Sequence, residues 1–281
     1  MKIDGRQIAN EIFEDLKNRV DKLKTKGITP HLYILLLNND ISSLSYINQK
    51  KIKGEGLGIK ISIDTVNRNI STKDLLNKIY ILNKDKKVNA IIVQRPLPLQ
   101  INEEKIASAI IPKKDIDGFN TNSLFTAPVA FAIITILKKA YQLLNINGDF
   151  NNWLKEKNIS VVGKGITAGE PIIKYLQTLG LKPNTIDSKT ENKEMVLNNS
   201  DIIISAVGKE NVIKTSDIKR GAILVDVGMH REEDGKFHGD YKEDEVSDKA
   251  LFYTPTPGGV GPINVALLMK NLIETTENQS A

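Results

Sequence analysis

The stretch that most constrains the fold is residues 159–171, Ile-Ser-Val-Val-Gly-Lys-Gly-Ile-Thr-Ala-Gly-Glu-Pro. A short β-branched run ends at Gly163, two further glycines stand at 165 and 169, and an apolar-periodic segment follows. This pattern predicts a strand, a tight turn and a helix start. Glycine admits the left-handed backbone and lets the chain come close to a ligand. The helix N-terminus beyond it offers free N–H groups and a positive dipole end, which suit a phosphate. The spacing is G-x-G-x-x-x-G, one residue longer than the usual dinucleotide fingerprint, so by itself it also fits a turn with no nucleotide. Strand and helix patterns alternate through most of the remaining chain, and that weighs toward the nucleotide.

A chain of 281 residues with 40% hydrophobic content can bury a sizeable core, and its length favours two domains over one. Cysteine is absent, which rules out disulfides and thiolate-bound metal and fits a reducing, cytoplasmic setting. The three histidines, at 31, 230 and 238, are widely spaced, and no metal site is expected from them. No signal-peptide core is visible at the N-terminus, and no apolar run is long enough to span a bilayer, so no membrane partner is expected. The net charge of +5 comes from scattered lysines, and aromatics make up 5%. A nucleic-acid binder concentrates its basic charge on one face. The pattern instead favours a solvated lysine-rich surface with some attraction for small anions.

Residues 8–23 have apolar positions at helical spacing. Residues 31–37 form a continuous apolar run and predict a buried strand. A turn at 38–40 leads into a helix over 41–57, stopped by Gly58. A strand over 60–66, a helix over 71–82 with Ser71 as N-cap, and a strand over 90–93 follow. This alternation implies βαβ units and a mainly parallel sheet. The segment 94–99, Gln-Arg-Pro-Leu-Pro-Leu, cannot continue a central strand because its prolines lack N–H donors. It predicts a loop at the carboxyl end of a strand, where α/β proteins bind ligands. Residues 112–119 are a second such segment, and 128–144 predict a long helix. Residues 145–152 look like a joint. In the second half, strands are expected at 159–162, ending near 187, at 201–205 and at 222–225. A hairpin or long loop is expected within 231–249, and a last helix over 263–274.

Several side chains combine in chemically suggestive ways. Tyr46 and Lys50 stand four apart on one helix face. A lysine beside an aromatic ring in a partly desolvated place has a lowered pKa and suits proton transfer, although a solvated lysine among Lys51 and Lys53 fits the same letters. Asp117 sits in a turn, where it either bonds its own backbone or grips a planar amidine-like edge such as a pterin presents. Gln94 is either a loop residue or a hydrogen-bond partner at the ligand site. The glycine-rich 257–262 segment before the last helix is either a substrate loop or a helix entry.

Taken together, these residues resemble the bifunctional methylenetetrahydrofolate dehydrogenase/methenyltetrahydrofolate cyclohydrolase (FolD) family. The matches are Tyr46-x-x-x-Lys50 with Gly58-Ile59, Gln94-x-Pro96-Leu97-Pro98 and Pro112-x-Lys114-Asp115-x-Asp117-Gly118-Phe119. They continue with Val162-Gly163-Lys164-x-x-x-x-Gly169-x-Pro171, Ser188-Lys189-Thr190, Asp226-Val227-Gly228 and Gly239-Asp240, and end with Pro255-x-Pro257-Gly258-Gly259-Val260-Gly261-Pro262. They stand in family order along almost the whole chain.

The resemblance implies an α/β fold of two domains with a cleft between them. Residues 1–125, completed by a C-terminal helix in 256–281, would be the folate-binding catalytic domain, and 126–255 the Rossmann-like NAD(P)-binding domain. It implies oxidation of 5,10-methylenetetrahydrofolate to the methenyl cation with NADP+, then hydrolysis to 10-formyltetrahydrofolate, in a homodimer. Lys50 would handle protons and activate water, Tyr46 would stack on the folate, Gln94 would hold the lysine and Asp117 would grip the pterin. Cofactor contacts would come from Gly163, Lys164, Gly165, Ser188, Lys189 and Met229, and substrate contacts also from Pro257, Gly258, Gly261 and Pro262. Some positions depart from the family pattern. Lys164-Gly165 replaces the usual Arg-Ser, Phe125-Thr126-Ala127-Pro128-Val129-Ala130 replaces Pro-Cys-Thr-Pro-x-Gly, and Ile263-Asn264 replaces Met-Thr. Lys164 and Lys189 favour NADP, whereas Asp187 ends its strand where dinucleotide folds place the acid for a free ribose hydroxyl, and so keeps NAD open. The rival readings are an NAD-dependent or monofunctional dehydrogenase and a non-catalytic folate-binding protein.

Overall fold

The computed structural model describes residues 1–38, 40–232 and 235–280. Two compact units emerge. One comprises residues 10–128 and 265–281, the other residues 1–9 and 129–264.

In the first unit, most of α1 (Gly5–Thr25) leads to β1 (His31–Leu36), α2 (Ile41–Leu57), β2 (Lys60–Thr65), α3 (Thr72–Lys84), β3 (Ala90–Gln94) and α4 (Glu103–Ala109). The three strands form a parallel sheet in the order β2-β1-β3, with Leu36 opposite both Thr65 and Gln94. The apolar run at 31–37 is continuous because both faces of β1 are covered. Leu32, Ile34 and Leu36 enter one core with α1 and α2, while Leu35 and Leu37 enter another with Leu75 and Ile79 of α3 and Ile106 of α4. Asp40 caps α2 by accepting from Ser43 N at 2.9 Å, and Ser71 caps α3 by accepting from Asp74 N at 3.1 Å. Asn39, the middle of the expected 38–40 turn, lies outside the described residues.

The second unit holds most of α5 (Pro128–Leu144), then α6 (Phe150–Lys155), β4 (Ile159–Val162), α7 (Gly169–Thr178), β5 (Asn184–Ile186), α8 (Lys193–Asn198), β6 (Ile202–Ser205) and β7 (Ile223–Asp226). After these come a two-stranded antiparallel ribbon of β8 (His230–Arg231) and β9 (Phe237–His238), then α9 (Glu243–Val246), β10 (Phe252–Tyr253) and the start of α10 (Val260–Ser280), whose greater part belongs to the first unit. The main sheet is parallel throughout, in the order β10-β7-β6-β4-β5. The ribbon starts at His230, one residue before the expected hairpin region, of which residues 233 and 234 lie outside the described residues.

This division differs from the expected limits at 125 and 256. Residues 1–9 and 256–264 group with the nucleotide-type unit. The reason is backbone pairing: Lys2 bridges Tyr253 in parallel, Ile3 N donates to Tyr253 O at 2.8 Å, and Gly5 N donates to Gly258 O at 2.9 Å. The last helix also runs beyond the expected 263–274. Pro262 lies in its first turn, where the missing N–H costs no helical bond. Its polar end is tied down by Thr275 Oγ1 on Lys113 O at 2.5 Å and Gln279 Nε2 on Asn89 O at 3.1 Å.

Candidate functional site

Within the first unit, three elements converge on Lys50. It lies on α2 and is 3% exposed, so the structure chooses the buried reading over the solvated one. Tyr46, one turn earlier, presents its ring 4.9 Å from Lys50 Nζ. Gln94 ends β3, and its Oε1 accepts from Lys50 Nζ at 3.2 Å. Gln94 Nε2 donates to Arg95 O at 2.8 Å, which fixes the amide with its oxygen toward the lysine. Burial pushes the Lys50 pKa below its ordinary value, and the charge of Asp117 opposes that fall. A lysine so placed holds a proton less firmly than a surface lysine and can pass it to or take it from a bound molecule.

Asp117 follows a 3-10 turn at Pro112–Lys114. The turn is anchored by Lys114, whose Nζ donates to Leu82 O and Asp85 O, both at 2.8 Å, at the end of α3. Asp115, 1% exposed, accepts from Asn120 N at 2.8 Å and ties down the loop that follows Asp117. Burial raises the Asp115 carboxyl to about 6. Arg95, between Gln94 and Pro96, has no role in the sequence pattern and gains one in the fold. Its guanidinium lies 4.3 Å from the Phe119 ring centroid and pairs with Glu103 at the start of α4. It thereby joins the loop after Gln94 to the loop after Asp117. An arginine inside a proline-flanked apolar segment is the signal that could have found it.

The second unit carries the glycine turn. Gly163 has φ +95°, and a Cβ there would lie 2.5 Å from Ala206 O. A Cβ at Gly169 would run into Gly163 O, so the start of α7 packs directly on the turn. A Cβ at Gly165 would meet nothing within 4 Å, so this side of the turn is open. These residues fit a dinucleotide approached closely by backbone. The first turn of α7 presents fewer donors than expected: the Glu170 amide is bound to Gly165 O at 3.0 Å, and Pro171 has none.

Lys164 pairs with Asp187 at 3.1 Å. Asp187 follows β5 and also accepts from Lys189 N at 2.9 Å and Thr190 Oγ1 at 3.2 Å. Lys164, together with these donors, draws the Asp187 carboxyl below its usual range. Ser188 and Lys189 thus sit in a turn folded around that acid. Met229 follows β7 and borders the loop after β6, where a Cβ at Gly208 would lie 3.2 Å from Met229 O. Pro257 and Gly258 are in the loop before α10, with Arg6 Nη2 donating to Pro257 O at 3.4 Å, whereas Gly261 and Pro262 belong to the first turn of that helix. Among the described residues, no group of three His, Asp or Glu side chains is arranged to hold a metal ion, and no helix is long and apolar enough to cross a membrane.

Comparison with known proteins also divides the chain in two. Residues 3–117 match the tetrahydrofolate dehydrogenase/cyclohydrolase catalytic domain, and residues 136–280 match the NAD(P)-binding domain of the same family. The chain is 37% identical over 274 residues to a bifunctional FolD protein of Staphylococcus saprophyticus, covering 96% of this chain and 95% of that one. Its structure resembles that of the bifunctional FolD methylenetetrahydrofolate dehydrogenase/cyclohydrolase of Campylobacter jejuni, with a TM-score of 0.89, 33% identity and 99% of each chain covered. It also resembles the Trypanosoma brucei FolD enzyme complexed with NADP and an inhibitor, with a TM-score of 0.89, 26% identity, and 100% and 98% of the chains covered.

Proposed function

Because the chain belongs to the tetrahydrofolate dehydrogenase/cyclohydrolase family, we propose that it oxidises 5,10-methylenetetrahydrofolate with NADP+ and hydrolyses the 5,10-methenyl product to 10-formyltetrahydrofolate. The observation that carries this reading is the burial of Lys50 between the Tyr46 ring and the Gln94 amide. In the hydrolytic step the neutral Lys50 amine takes a proton from water as that water attacks the methenyl carbon. The hydroxyl of the resulting adduct then gives up its proton to solvent as the C–N5 bond breaks, N5 receives the proton held by Lys50, and the formyl group stays on N10. Gln94 holds the amine in place, Tyr46 stacks on the folate, and Asp117 accepts hydrogen bonds from the pterin edge.

The nicotinamide, when bound, supplies the hydride acceptor. Gly163, Lys164, Gly165, Ser188, Lys189 and Met229 would hold the dinucleotide, and Pro257, Gly258, Gly261 and Pro262 would contribute to the folate side. Lys164 and Lys189 support NADP. The second reading is NAD dependence, favoured by Asp187: its carboxylate stands at the end of β5, and a 2′-phosphate must compete with it for Lys164. The protein is further read as a cytoplasmic homodimer.

The test follows reduced cofactor and the methenyl species separately, with NADP+ and NAD+ in parallel. Wild type is expected to turn over with NADP+ and to hydrolyse the methenyl compound. Lys50→Ala is expected to lose hydrolysis by about a hundredfold or more, the scale of a proton-transfer group. Unchanged hydrolysis in Lys50→Ala would overturn the assignment, and turnover with NAD+ alone would transfer the cofactor preference to Asp187.

A further inference from the structure

Asp240 follows β9 and is fully buried. Its Oδ2 accepts from Ser205 Oγ at 2.6 Å and Val207 N at 2.9 Å, and its Oδ1 accepts from Gly208 N at 2.7 Å and Lys209 N at 3.0 Å. Three successive backbone amides aimed at one point form an anion-holding concavity. Here the chain's own carboxylate fills it. Room for this is made by glycine, since a Cβ at Gly228 would collide with the Asp240 carboxylate and one at Gly239 with that of Asp226. The Asp240 N–H in turn donates to Asp226 Oδ2 at 2.9 Å.

The loop held in this way, residues 206–209, lies between two pieces of the expected cofactor site. A Cβ at Gly163 would lie 2.5 Å from Ala206 O and 3.2 Å from Val207 Cγ2, so the loop abuts the glycine turn on one side. On the other side Gly208, with φ +74°, backs onto Met229 O. In the sheet, β4 is flanked by β5 and β6, so the chain passes from β4 to β5 on one side and then crosses back to β6 on the other. The crevice at the carboxyl ends of such strands is where open α/β sheets bind ligands.

We infer that Asp240 is a positioning residue for the dinucleotide: it holds the 206–209 loop as a ready-made wall of that crevice, so that binding does not have to order a glycine-containing segment. The same contacts use up the loop's amides, which leaves the phosphates to the Gly163–Gly165 side. The inference rests on the dinucleotide reading of this unit.

Asp240→Asn tests it, because an amide nitrogen must then face a backbone N–H whichever way it turns. The Kd for NADPH, read by fluorescence titration, is expected to rise about tenfold or more, the effect of losing one charge-assisted bond. The KM for NADP+ should rise with it, while hydrolysis of 5,10-methenyltetrahydrofolate, which uses Lys50, stays within about twofold; a general loss of structure would lower both. A folded Asp240→Asn protein whose NADPH affinity is unchanged overturns the inference. If the variant does not fold, amide hydrogen exchange on nucleotide-free wild type decides: protected amides at Val207, Gly208 and Lys209 support a preformed wall, and unprotected ones overturn it. Wild type that binds neither NADPH nor NADH sinks the dinucleotide reading and this inference with it, whereas wild-type binding unaffected by the substitution sinks the inference alone.

Discussion

Lys50 shows how a residue's role depends on what surrounds it. Its surroundings act in three ways: burial disfavours the charged amine, Asp117 favours it, and Gln94 orients it. This gives a signed expectation. Removing the Asp117 charge takes away the one contribution that raises the Lys50 pKa, so in Asp117→Asn the acidic limb of methenyl hydrolysis, where the rate rises as Lys50 loses its proton, should move to lower pH. The measurement is a pH–rate profile at saturating substrate, and a limb that stays or moves upward would contradict the proposed base. Tyr46 and Lys50 were legible in the sequence as one helix face because an i,i+4 pair is a local property. That Gln94, 44 residues away, meets them was not, since nothing local encodes which side of a sheet a loop reaches.

At the scale of elements, the glycine turn separates necessity from permission. Gly163→Ala combines a left-handed φ with a contact on Ala206 O and should destabilise the protein by about 2 kcal/mol or more. Gly165→Ala meets open space at an ordinary φ and should leave the melting temperature close to wild type. Equal melting temperatures for the two variants would show that the turn is not held as described. The loop after the 3-10 turn carries a pH expectation through Asp115. Its folded pKa, about 6, lies above the ordinary 3.8. Its contribution to stability is therefore complete below the lower value and is lost as pH rises through the higher one. Between pH 4.5 and 7.5 this loss amounts to about 2 kcal/mol. Urea unfolding at both values should show it in wild type and not in Asp115→Asn; parallel losses would refute it. Elements with long periodic patterns, such as α2 and α5, were legible with their boundaries. The short α4, α6 and α8 were not, because six or seven residues hold too few apolar positions to display a period.

For the whole molecule, the homodimer reading predicts a light-scattering mass of about twice the 31.2 kDa chain, and a monomer at micromolar concentration would reject it. Determined by the sequence alone were the class of fold, since apolar runs alternating with helical periods allow a parallel sheet covered on both faces, and the motif residues in their order. Those are properties of neighbours along the chain. Tertiary structure alone decided what required distant segments to meet. It placed residues 1–9 with strand β10, so that the units divide elsewhere than at the limits the resemblance implied. It made the polar end of α10 helical by bonding it to Asn89 and Lys113. It turned Lys50 from a surface-like lysine into a buried one, and it closed Asp240 over three amides of another loop. Burial and long-range hydrogen bonding depend on the path of the whole chain, and no window of residues contains that path.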